Sequence, residues 1–365
     1  MRALETVLLT GATGLLGRDV LTRLLAEEPS LRIAALVRDE TRAAAILLGI
    51  PGADDRVTLI VGDLRTDSLG LCATLRERLR RHVTSIVHLG ADTTFSRSLA
   101  DARAVNTDGT RRLLEFAGEC DAPVRFAYVS TAFVAGRRTG TIIEEAGSPD
   151  AGWVNAYEQS KFEAEALVRD HSDDWVILRP STVVCDGVDG SVTQFNAAHR
   201  ALRLYRDGLA AMMPGVEGST VDTVTTEYTS RAITRLALSR AARGQTFHLC
   251  AGTGALALAE MLDVTYARWA TDASWRRCGI ARPLLADLVT YALFERTIED
   301  TADPSLKRVT RALSHFVPQL GLPKRFDTTR TDAALGFAAP PVSTYWTAMI
   351  DSLLATNWGA LRRAA

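Results

Sequence analysis

The stretch TVLLTGATGLLG, residues 6–17, decides the fold. Its first five residues form a short apolar run that predicts a buried strand, and an amphipathic helical pattern begins near Leu15. Between them, Gly11, Gly14 and Gly17 let the backbone turn tightly and approach a ligand. A helix that starts at such a turn offers unpaired N–H groups and the positive end of its dipole to an anion. The stretch therefore predicts a strand–turn–helix unit that holds the pyrophosphate of a dinucleotide; a tight turn without a ligand is the alternative.

The same alternation continues through the first 180 residues. Unbroken Val/Ile/Leu runs are typical of parallel strands that are covered on both faces, and helical patterns separate these runs. Strands that alternate with helices predict right-handed βαβ units, and hence an α/β fold with a Rossmann-like doubly wound parallel sheet. The predicted strands are residues 6–10, 32–37, 57–61, 85–89, 125–130 and 175–178, and the predicted helices are 15–25, 101–117 and 157–168.

The pattern changes after Pro180. We predict a dinucleotide-binding core domain over residues 1–185 and a mainly helical C-terminal substrate-binding region over 186–365, interleaved with the core around 220–255. Open α/β sheets bind their ligands at the carboxyl ends of the strands, so this region should pack there. Its predicted elements are helices over 194–206, 227–241 and 256–269, a strand over 245–250, and further helices from Ala281 onward, with breaks near Pro318, Pro323 and Pro340–Pro341.

Composition excludes several classes of protein. The 365 residues include 42 Lys and Arg against 43 Asp and Glu, and this net charge of −1 leaves no electrostatic footprint for nucleic acid. The five cysteines form no CxxC pair and the six histidines show no ligand spacing, so we predict reduced thiols and no metal site. No apolar run reaches the about 18 residues of a transmembrane helix, and the few residues before the first strand leave no room for a signal peptide. The sequence therefore predicts a cytoplasmic protein.

The ends of the second and third predicted strands bear on which dinucleotide binds. Arg38 follows the second strand, where a carboxylate would favour the ribose 2′-hydroxyl of NAD and an arginine suits the 2′-phosphate of NADP. Asp39 and Glu40 come directly after it, so NADPH is the prediction and NADH the alternative. Asp63 follows the third strand and either accepts a hydrogen bond from an adenine amino group or caps the next turn.

Tyr157 and Lys161 are spaced as i and i+4, so a helix places both on one face. Free tyrosine titrates near pH ~10, and a nearby ammonium favours the phenolate and so lowers its pKa. The position of this lysine is informative because the chain has only two others, Lys307 and Lys324. The pair predicts a general acid–base site, with an exposed helical pair as the alternative.

Two further strand ends face the same crevice. Thr131, beside Ser130, closes the fifth strand, where its hydroxyl could hold a carbonyl oxygen in line with Tyr157 or could instead satisfy local backbone. The sixth strand ends at Pro180, since proline stops the ladder of hydrogen bonds. The backbone of residues 181–183 is then placed to bind a carboxamide.

Together these motifs resemble the extended short-chain dehydrogenase/reductases over about residues 5–252. VSTAFVAG (129–136), YEQSK (157–161) and RFDTT (325–329) resemble, more narrowly, the fatty acyl-CoA reductase and thioester reductase branch. This resemblance implies that the threonine, tyrosine and lysine carry the chemistry. It also implies NADPH-dependent reduction of an acyl thioester, CoA-bound or carrier-tethered, to an aldehyde or alcohol, with an acyl pocket built after residue 185.

Two departures from that branch bear on the substrate. Asp92 stands where a small or apolar residue is expected near the nicotinamide, and TTEY (225–228) replaces the Pro-Val-Asp-Tyr pattern that is common there. The predicted catalytic residues are Thr131, Tyr157 and Lys161, and the residues predicted to contact the cofactor are Gly11, Thr13, Gly14, Leu15, Leu16, Gly17, Arg38, Asp63, Leu64, Leu89, Gly90, Ala91, Asn106, Tyr157, Lys161, Pro180, Ser181, Thr182 and Val183.

Other functions stay open at this point. The same residues would serve a ketone or aldehyde reductase or a hydroxysteroid-type dehydrogenase. A nucleotide-sugar epimerase or dehydratase is disfavoured because Thr131 is followed by Ala132 and Phe133 rather than by an acidic pair. A non-catalytic NADPH-binding protein usually lacks the tyrosine or the lysine, and this chain has both.

Two C-terminal segments, residues 284–294 and 345–354, carry apolar stripes at helical spacing. Such stripes more often pack in the core or at a dimer contact than against lipid. A homodimer therefore stands beside the acyl substrate among the expected partners.

Overall fold

A seven-stranded parallel sheet lies at the centre of the protein, for which a computed structural model describes residues 5–171, 174–301 and 303–359. Smaller two-stranded ladders surround it. In chain order the strands are β1 (Thr6–Thr10), β2 (Arg32–Val37), β3 (Val57–Val61), β4 (Val83–His88), β5 (Arg125–Val129), β6 (Gly140–Ile142), β7 (Trp175–Pro180), β8 (Thr182–Cys185), β9 (Met212–Pro214), β10 (Thr220–Val221), β11 (Thr223–Thr225), β12 (Gln245–Leu249), β13 (Leu256–Ala257), β14 (Leu284–Ala286) and β15 (Lys324–Phe326).

Helices cover both faces of this sheet and build most of the C-terminal region. They are α1 (Leu15–Glu27), α2 (Glu40–Leu47), α3 (Ala53–Arg56), α4 (Ala73–His82), α5 (Leu99–Asn106), α6 (Asp108–Glu119), α7 (Ala156–His171), α8 (Ala197–Arg206), α9 (Thr226–Leu238), α10 (Leu258–Trp269), α11 (Ala273–Arg277), α12 (Leu288–Glu299), α13 (Pro304–Ser314), α14 (Thr329–Leu335) and α15 (Val342–Ala355), with 3₁₀ turns at Asp67–Gly70, Ala132–Ala135, Arg240–Ala242, Gly252–Gly254, Val317–Gly321 and Asn357–Gly359.

The order of the strands creates the crevice in which the site lies. It runs β12-β7-β5-β4-β1-β2-β3, and the neighbouring strands are parallel. From β1 the chain builds outward to β2 and β3 on one side and then returns to β4 and β5 on the other. At such a switch point the loops that follow β1 and β4 diverge, which leaves room for a ligand at the carboxyl ends of the strands. The predicted Rossmann-like α/β fold is confirmed.

Buried apolar side chains explain why these segments fold as they do. In β1 the run Val7–Leu9 is almost fully buried, as expected for a strand that is covered on both faces. Helix α1 turns Val20, Leu21, Leu24 and Leu25 inward at three- and four-residue steps and packs on α9 and the sheet. The predicted bounds of β1, β2 and β3 match the structure residue for residue, whereas β4 begins two residues before the predicted start.

The prediction of one helix over residues 101–117 is wrong. The structure has α5 and α6 there, separated at Thr107. The hydroxyl of Thr107 donates to the main-chain oxygen of Ser160 on α7 at 3.0 Å, so a tertiary contact fixes the break. Threonine hydroxyls compete for main-chain partners in this way, and a periodic apolar pattern does not reveal it.

The C-terminal region has its own apolar core, in which Trp269, Tyr345 and Trp346 are buried. The stripe over residues 345–354 packs into this core. The stripe over 284–294 packs there only in part: Tyr291 is buried in this core, whereas Leu284, Val289 and Leu293 are exposed by 68%, 73% and 55%.

The sequence reasoning missed the short strands of this region, which are β9, β10, β11, β13, β14 and β15. β14 pairs with β9 and β15 pairs with β6, each over three residues, which is too short for an alternating pattern to register.

Over residues 5–359, apart from 172–173 and 302, we find no helix with the length and apolarity that a membrane span needs.

Candidate active site

The glycine-rich turn leaves an open cradle between β1 and α1. Gly11 has a φ of +73°, and a Cβ atom there would lie 2.8 Å from the main-chain nitrogen of Gly90. A Cβ on Gly17 would lie 1.9 Å from the carbonyl oxygen of Gly11, so the helix packs directly on the turn. Helix α1 begins after Gly14 with no side-chain cap and no acidic residue in its first turn. These features fit an incoming anion such as a pyrophosphate.

The end of β4 is braced beneath this cradle. Buried His88 shares hydrogen bonds with the hydroxyls of Thr10 (2.7 Å) and Thr110 (3.0 Å), and Gly90 N donates to the Thr10 hydroxyl at 2.9 Å. Burial lowers the pKa of His88 well below its ordinary value, with Lys161 adding to the effect, so the ring is neutral. His88 is therefore a hydrogen-bonded core residue.

Asn106 and Asp92 face each other across the loop that follows β4. Asp92 N donates to the Asn106 side-chain oxygen at 2.8 Å, and the Asn106 amide donates to Asp92 O and to the Ser160 hydroxyl, both at 3.0 Å. The Asp92 carboxylate accepts from Thr94 N and from the Arg97 side chain. Asn106 thus braces the loop rather than pointing its amide into the crevice, and Asp92 is engaged locally.

Polar and charged groups cluster at the ends of β2 and β3. Arg38 is exposed, while the following Asp39 caps α2 by accepting from Arg42 N at 2.9 Å. Arg65, which the sequence reasoning missed, forms a bidentate pair with Asp63. This pairing lowers the pKa of Asp63, and Arg38 is close enough to contribute. Arg38 and Arg65 therefore both lie at the ends of β2 and β3, whereas the sequence analysis identified Arg38 alone.

The other predicted cofactor contacts lie along the same strand ends. Ser181 N donates to Leu249 O at 3.1 Å, so the residue after Pro180 joins β7 to β12, and β8 then turns away to pair with β11. The following predicted contact residues are half-buried: Thr13, Leu15, Leu16, Leu64, Leu89, Gly90, Ala91, Thr182 and Val183.

Thr131 and Tyr157 come together across 26 positions of sequence. Thr131 follows β5, and its oxygen accepts from Phe133 N at 3.3 Å, which caps the 3₁₀ turn. Tyr157 lies in the first turn of α7. Burial raises the pKa of Tyr157 to about 12, and the nearby Thr131 hydroxyl partly opposes this rise. The structure thus places two hydroxyl groups side by side.

Lys161 lies on the same face of α7, one turn after Tyr157, and is almost completely buried. Its ammonium donates to Val129 O at 2.7 Å and lies 4.1 Å from the centroid of the Tyr128 ring. Burial lowers its pKa to about 7, while Glu165 acts in the opposite direction. The lysine is therefore held against β5.

One part of the sequence reasoning about this pair is wrong. We expected Lys161 to lower the pKa of Tyr157, yet desolvation raises that pKa, and the group that opposes the rise is Thr131. The phenol is desolvated by the packing around it, including the Phe95 ring, whose centroid lies 5.5 Å from that of Tyr157. Burial of this kind disfavours the charged form and is invisible to a spacing motif.

Comparison with known proteins assigns the chain to a family. The family model described as the male sterility protein, an NAD-binding model, matches residues 9–233. The chain belongs to this NAD-binding family. The match confirms the resemblance to extended short-chain dehydrogenase/reductases. Together with the site, it makes the chain an NAD(P)-dependent oxidoreductase of that type.

Several relatives of the chain are regions of much larger synthetases. Over 196 residues it is 31% identical to the hybrid PKS-NRPS synthetase gkaA of Penicillium citrinum; this covers 51% of the chain and only 5% of that protein. The crystal structure of the terminal R domain from the myxalamid PKS-NRPS biosynthetic pathway is 27% identical, with a TM-score of 0.79 over 98% of this chain and 92% of that one. The reductase (R) domain of a nonribosomal peptide synthetase from Mycobacterium tuberculosis, 23% identical with a TM-score of 0.66, shares the fold over 97% of this chain and 92% of its own.

Proposed function

We propose that the protein uses NADPH to reduce an acyl thioester, tethered to a carrier or to CoA, and releases an aldehyde. The observation that carries this proposal is the Thr131 hydroxyl beside Tyr157, with the buried Lys161 one helical turn further along α7. Two hydroxyl donors at one point suit an oxygen that gains negative charge during reaction. The likeness to the myxalamid R domain supports a thioester as the substrate.

The crevice fits the proposed dinucleotide. The glycine cradle and the uncapped start of α1 would hold the pyrophosphate, and Lys161 would reach the ribose of the nicotinamide half. Arg38 and Arg65 would hold the 2′-phosphate of NADP, while one carboxylate oxygen of Asp39 caps α2. When bound, this cofactor supplies the hydride.

The residues of the chain would then manage the oxygen and its proton. Thr131 and Tyr157 would each donate a hydrogen bond to the thioester carbonyl oxygen, which orients the carbonyl carbon for reduction. Because burial raises the pKa of Tyr157 to about 12, the phenol carries its proton near neutral pH and can give it to the oxyanion. The hemithioacetal that results loses its thiol, which leaves the aldehyde. Lys161 would assist by holding the ribose of the cofactor, one helical turn from the tyrosine.

Other parts of the proposal concern the whole protein. We infer that residues 186–365 supply the acyl pocket, although residues 302 and 360–365 lie outside those that the structure describes. All five cysteines are free, which supports a reducing, cytoplasmic setting. The exposed apolar stripe of residues 284–293 is the surface that a homodimer would use.

The test follows the absorbance of NADPH with purified protein and two sets of substrates. One set holds acyl-CoA and acyl-pantetheine thioesters, and the other holds the matched aldehydes and ketones. We expect NADPH oxidation with thioesters, an equal release of free thiol, and an aldehyde or alcohol identified as product. Tyr157→Phe should abolish the reaction without loss of NADPH binding. Oxidation with free carbonyl compounds alone would overturn the thioester assignment and leave a ketone or aldehyde reductase.

A further inference from the structure

The turn that carries Tyr157 is held by an unusual cap. Asn155 begins α7, and its side-chain oxygen accepts from Glu158 N at 3.0 Å. The Glu158 carboxylate reaches back to accept from Val154 N at 2.9 Å, which completes a reciprocal arrangement like that of a capping box. The carboxylate in such a cap is ordinarily in water, yet Glu158 is only 2% exposed. The Asn155 side-chain nitrogen also donates to this carboxylate, at 3.1 Å, and a carboxylate so deeply buried is stabilised by every further donor.

The additional donor comes from more than 150 residues further along the chain. Gln319, in the 3₁₀ turn before β15, donates from its side-chain nitrogen to Glu158 at 2.8 Å. Asn155 in turn donates to His315 O at 2.9 Å. Both side chains of the cap are thus bound to the segment of residues 315–324, which we call the bracing segment.

The bracing segment is anchored by Lys324, one of the three lysines of the chain. Its ammonium, 8% exposed, donates to the side-chain oxygen of Gln319 at 2.7 Å and to Gly136 O at 2.5 Å. Gly136 ends the short 3₁₀ turn that Thr131 begins. A continuous chain of hydrogen bonds therefore links the turn of one catalytic hydroxyl to the turn of the other.

The charges of Glu158 and Lys324 explain why the Gln319 amide lies in the middle of this chain of hydrogen bonds. Burial raises the pKa of Glu158 to about 7 and lowers that of Lys324 to about 8, and the two attract each other across Gln319. Arg137 and Arg138 also face these groups, and both add positive potential at Lys324. Gln319 satisfies a negative and a positive group at once, because its nitrogen donates to one while its oxygen accepts from the other.

We propose that Gln319 and Lys324 are positioning residues for the reaction, which fix the spacing of the Thr131 and Tyr157 hydroxyls through Gly136 and Glu158. The inference rests on the proposed use of those hydroxyls to bind a carbonyl oxygen. It adds that the substrate-binding half of the chain sets their alignment. Displacement of a reacting group by about 1 Å can cost about a hundredfold in rate, so a small shift in this chain of contacts is enough to matter.

The experiment removes the link and then rebuilds it with exchanged partners. Gln319→Met keeps the length of the side chain but loses both hydrogen bonds. Gln319→Glu sets two carboxylates against each other. The double variant Glu158→Gln with Gln319→Glu restores a donor facing an acceptor and gives Lys324 a charged partner. Gln245→Met is the matched control, since Gln245 makes an exposed hydrogen bond to Ala241 O.

We expect Gln319→Met and Gln319→Glu to lower kcat about ten- to a hundredfold while KM and the Kd for NADPH stay within about twofold. The double variant should recover most of kcat, and Gln245→Met should match the wild type. A solvent deuterium isotope effect on kcat should grow in Gln319→Met, because proton donation from a misaligned Tyr157 becomes slower. A purely structural role would instead lower the melting temperature, leave the isotope effect unchanged and give no recovery in the double variant.

Failure of this inference is separable from failure of the proposed function. If the wild type reduces aldehydes but no thioester, the thioester assignment is overturned, and the same variants are compared with the aldehyde, which needs the same hydroxyl pair. If no carbonyl substrate is found, amide hydrogen exchange over residues 154–158 of the NADP⁺-saturated protein provides the readout. Faster exchange in Gln319→Met than in Gln245→Met, reversed in the double variant, supports the link, and equal exchange overturns it.

Discussion

The ammonium of Lys161 lies 4.1 Å from the centroid of the Tyr128 ring, so a buried aromatic face supports the one lysine of the catalytic helix. The same ammonium donates to Val129 O at 2.7 Å, so two consecutive residues of β5 fix its position. A cation over an aromatic face is stabilised by the quadrupole of the ring, and the effect is largest where water is excluded. β5 therefore not only leads into Thr131 but also fixes the position of the Lys161 ammonium.

Replacement of Tyr128 tests this arrangement. Tyr128→Phe keeps the aromatic face and should leave kcat near the wild-type value. Tyr128→Leu removes the face, and the loss of about 1–2 kcal/mol should lower kcat about 5- to 30-fold. Steady-state kinetics on both variants provides the measurement. Equal rates for the two variants would show that the ring serves only to fill space.

The two hydroxyls should contribute unequally. Tyr157→Phe removes the proton donor and should lower kcat about 10²- to 10⁴-fold. Thr131→Val removes one donor to the oxyanion, which typically costs about 10²- to 10³-fold. Because both groups act on one oxygen, the double variant should be little worse than Tyr157→Phe. Single-turnover kinetics with saturating NADPH measures these differences, and strictly additive losses would contradict a shared oxygen.

Lys161 should make stability depend on pH in a defined direction. Burial lowers its pKa in the folded protein to about 7, from the 10.5 of an ordinary lysine. Between these values the unfolded chain binds more protons than the folded one, so the free energy of unfolding rises with pH across that window. Lys161→Met lacks this contribution and should be inactive but more stable than the wild type near pH 7, by about 1–3 kcal/mol.

Denaturant unfolding at a series of pH values measures this effect. The difference in the free energy of unfolding between Lys161→Met and the wild type should be largest at the acid end of the window and shrink towards its alkaline end. Other groups titrate alike in both proteins, so their contributions cancel. Parallel stability curves for the two proteins would show that the lysine is not desolvated in the free enzyme.

Substitution of two glycines in the turn should have different effects, one on the stability of the fold and the other on the binding of NADPH. A Cβ on Gly17 would lie 1.9 Å from Gly11 O, so Gly17→Ala forces apart the turn and the helix and should destabilise the protein by up to about 3 kcal/mol. A Cβ on Gly14 would meet Gly11 O at 3.3 Å and otherwise points outward. Gly14→Ala should therefore fold but bind NADPH weakly. Melting temperature and NADPH fluorescence together test this; a Gly14→Ala variant that binds normally would contradict the cradle.

Local patterns predicted what local forces determine. The strand at Thr6–Thr10, the turn after it and the helix from Leu15 follow from apolar runs and glycine spacing, because each element is specified within a dozen residues. The positions of Tyr157 and Lys161 on one face follow from the pitch of a helix. These short-range signals predicted the α/β fold, and the structure and the family match confirm it.

Long-range contacts and burial were beyond the reach of such patterns. Nothing in the neighbourhood of Glu158 indicates a partner at Gln319, and the direction of the pKa of Tyr157 depends on packing by Phe95 and others. Of the residues that link Glu158 to Gly136, only Lys324 was singled out by the sequence, because lysine is rare in this chain. Arg65 was passed over because arginine is abundant, and only its pairing with Asp63 draws attention to it.

Cofactor preference should depend on Arg38. It follows β2, where the 2′-phosphate of NADP would lie, and the next residue, Asp39, caps α2 with one of its carboxylate oxygens. A charge-assisted hydrogen bond is worth about 1.5–3 kcal/mol, so Arg38→Ala should raise the Kd for NADPH about 10- to 100-fold and leave that for NADH nearly unchanged. Arg65→Ala should have a smaller effect, because Arg65 is partly engaged by Asp63.

Fluorescence titration of the two variants with NADPH and with NADH measures the four dissociation constants. Arg78→Ala, an exposed arginine of α4, controls for the loss of a positive charge alone. If Arg38→Ala weakened NADH and NADPH equally, the arginine would act on the shared part of the dinucleotide, and the preference for NADPH would have to come from elsewhere.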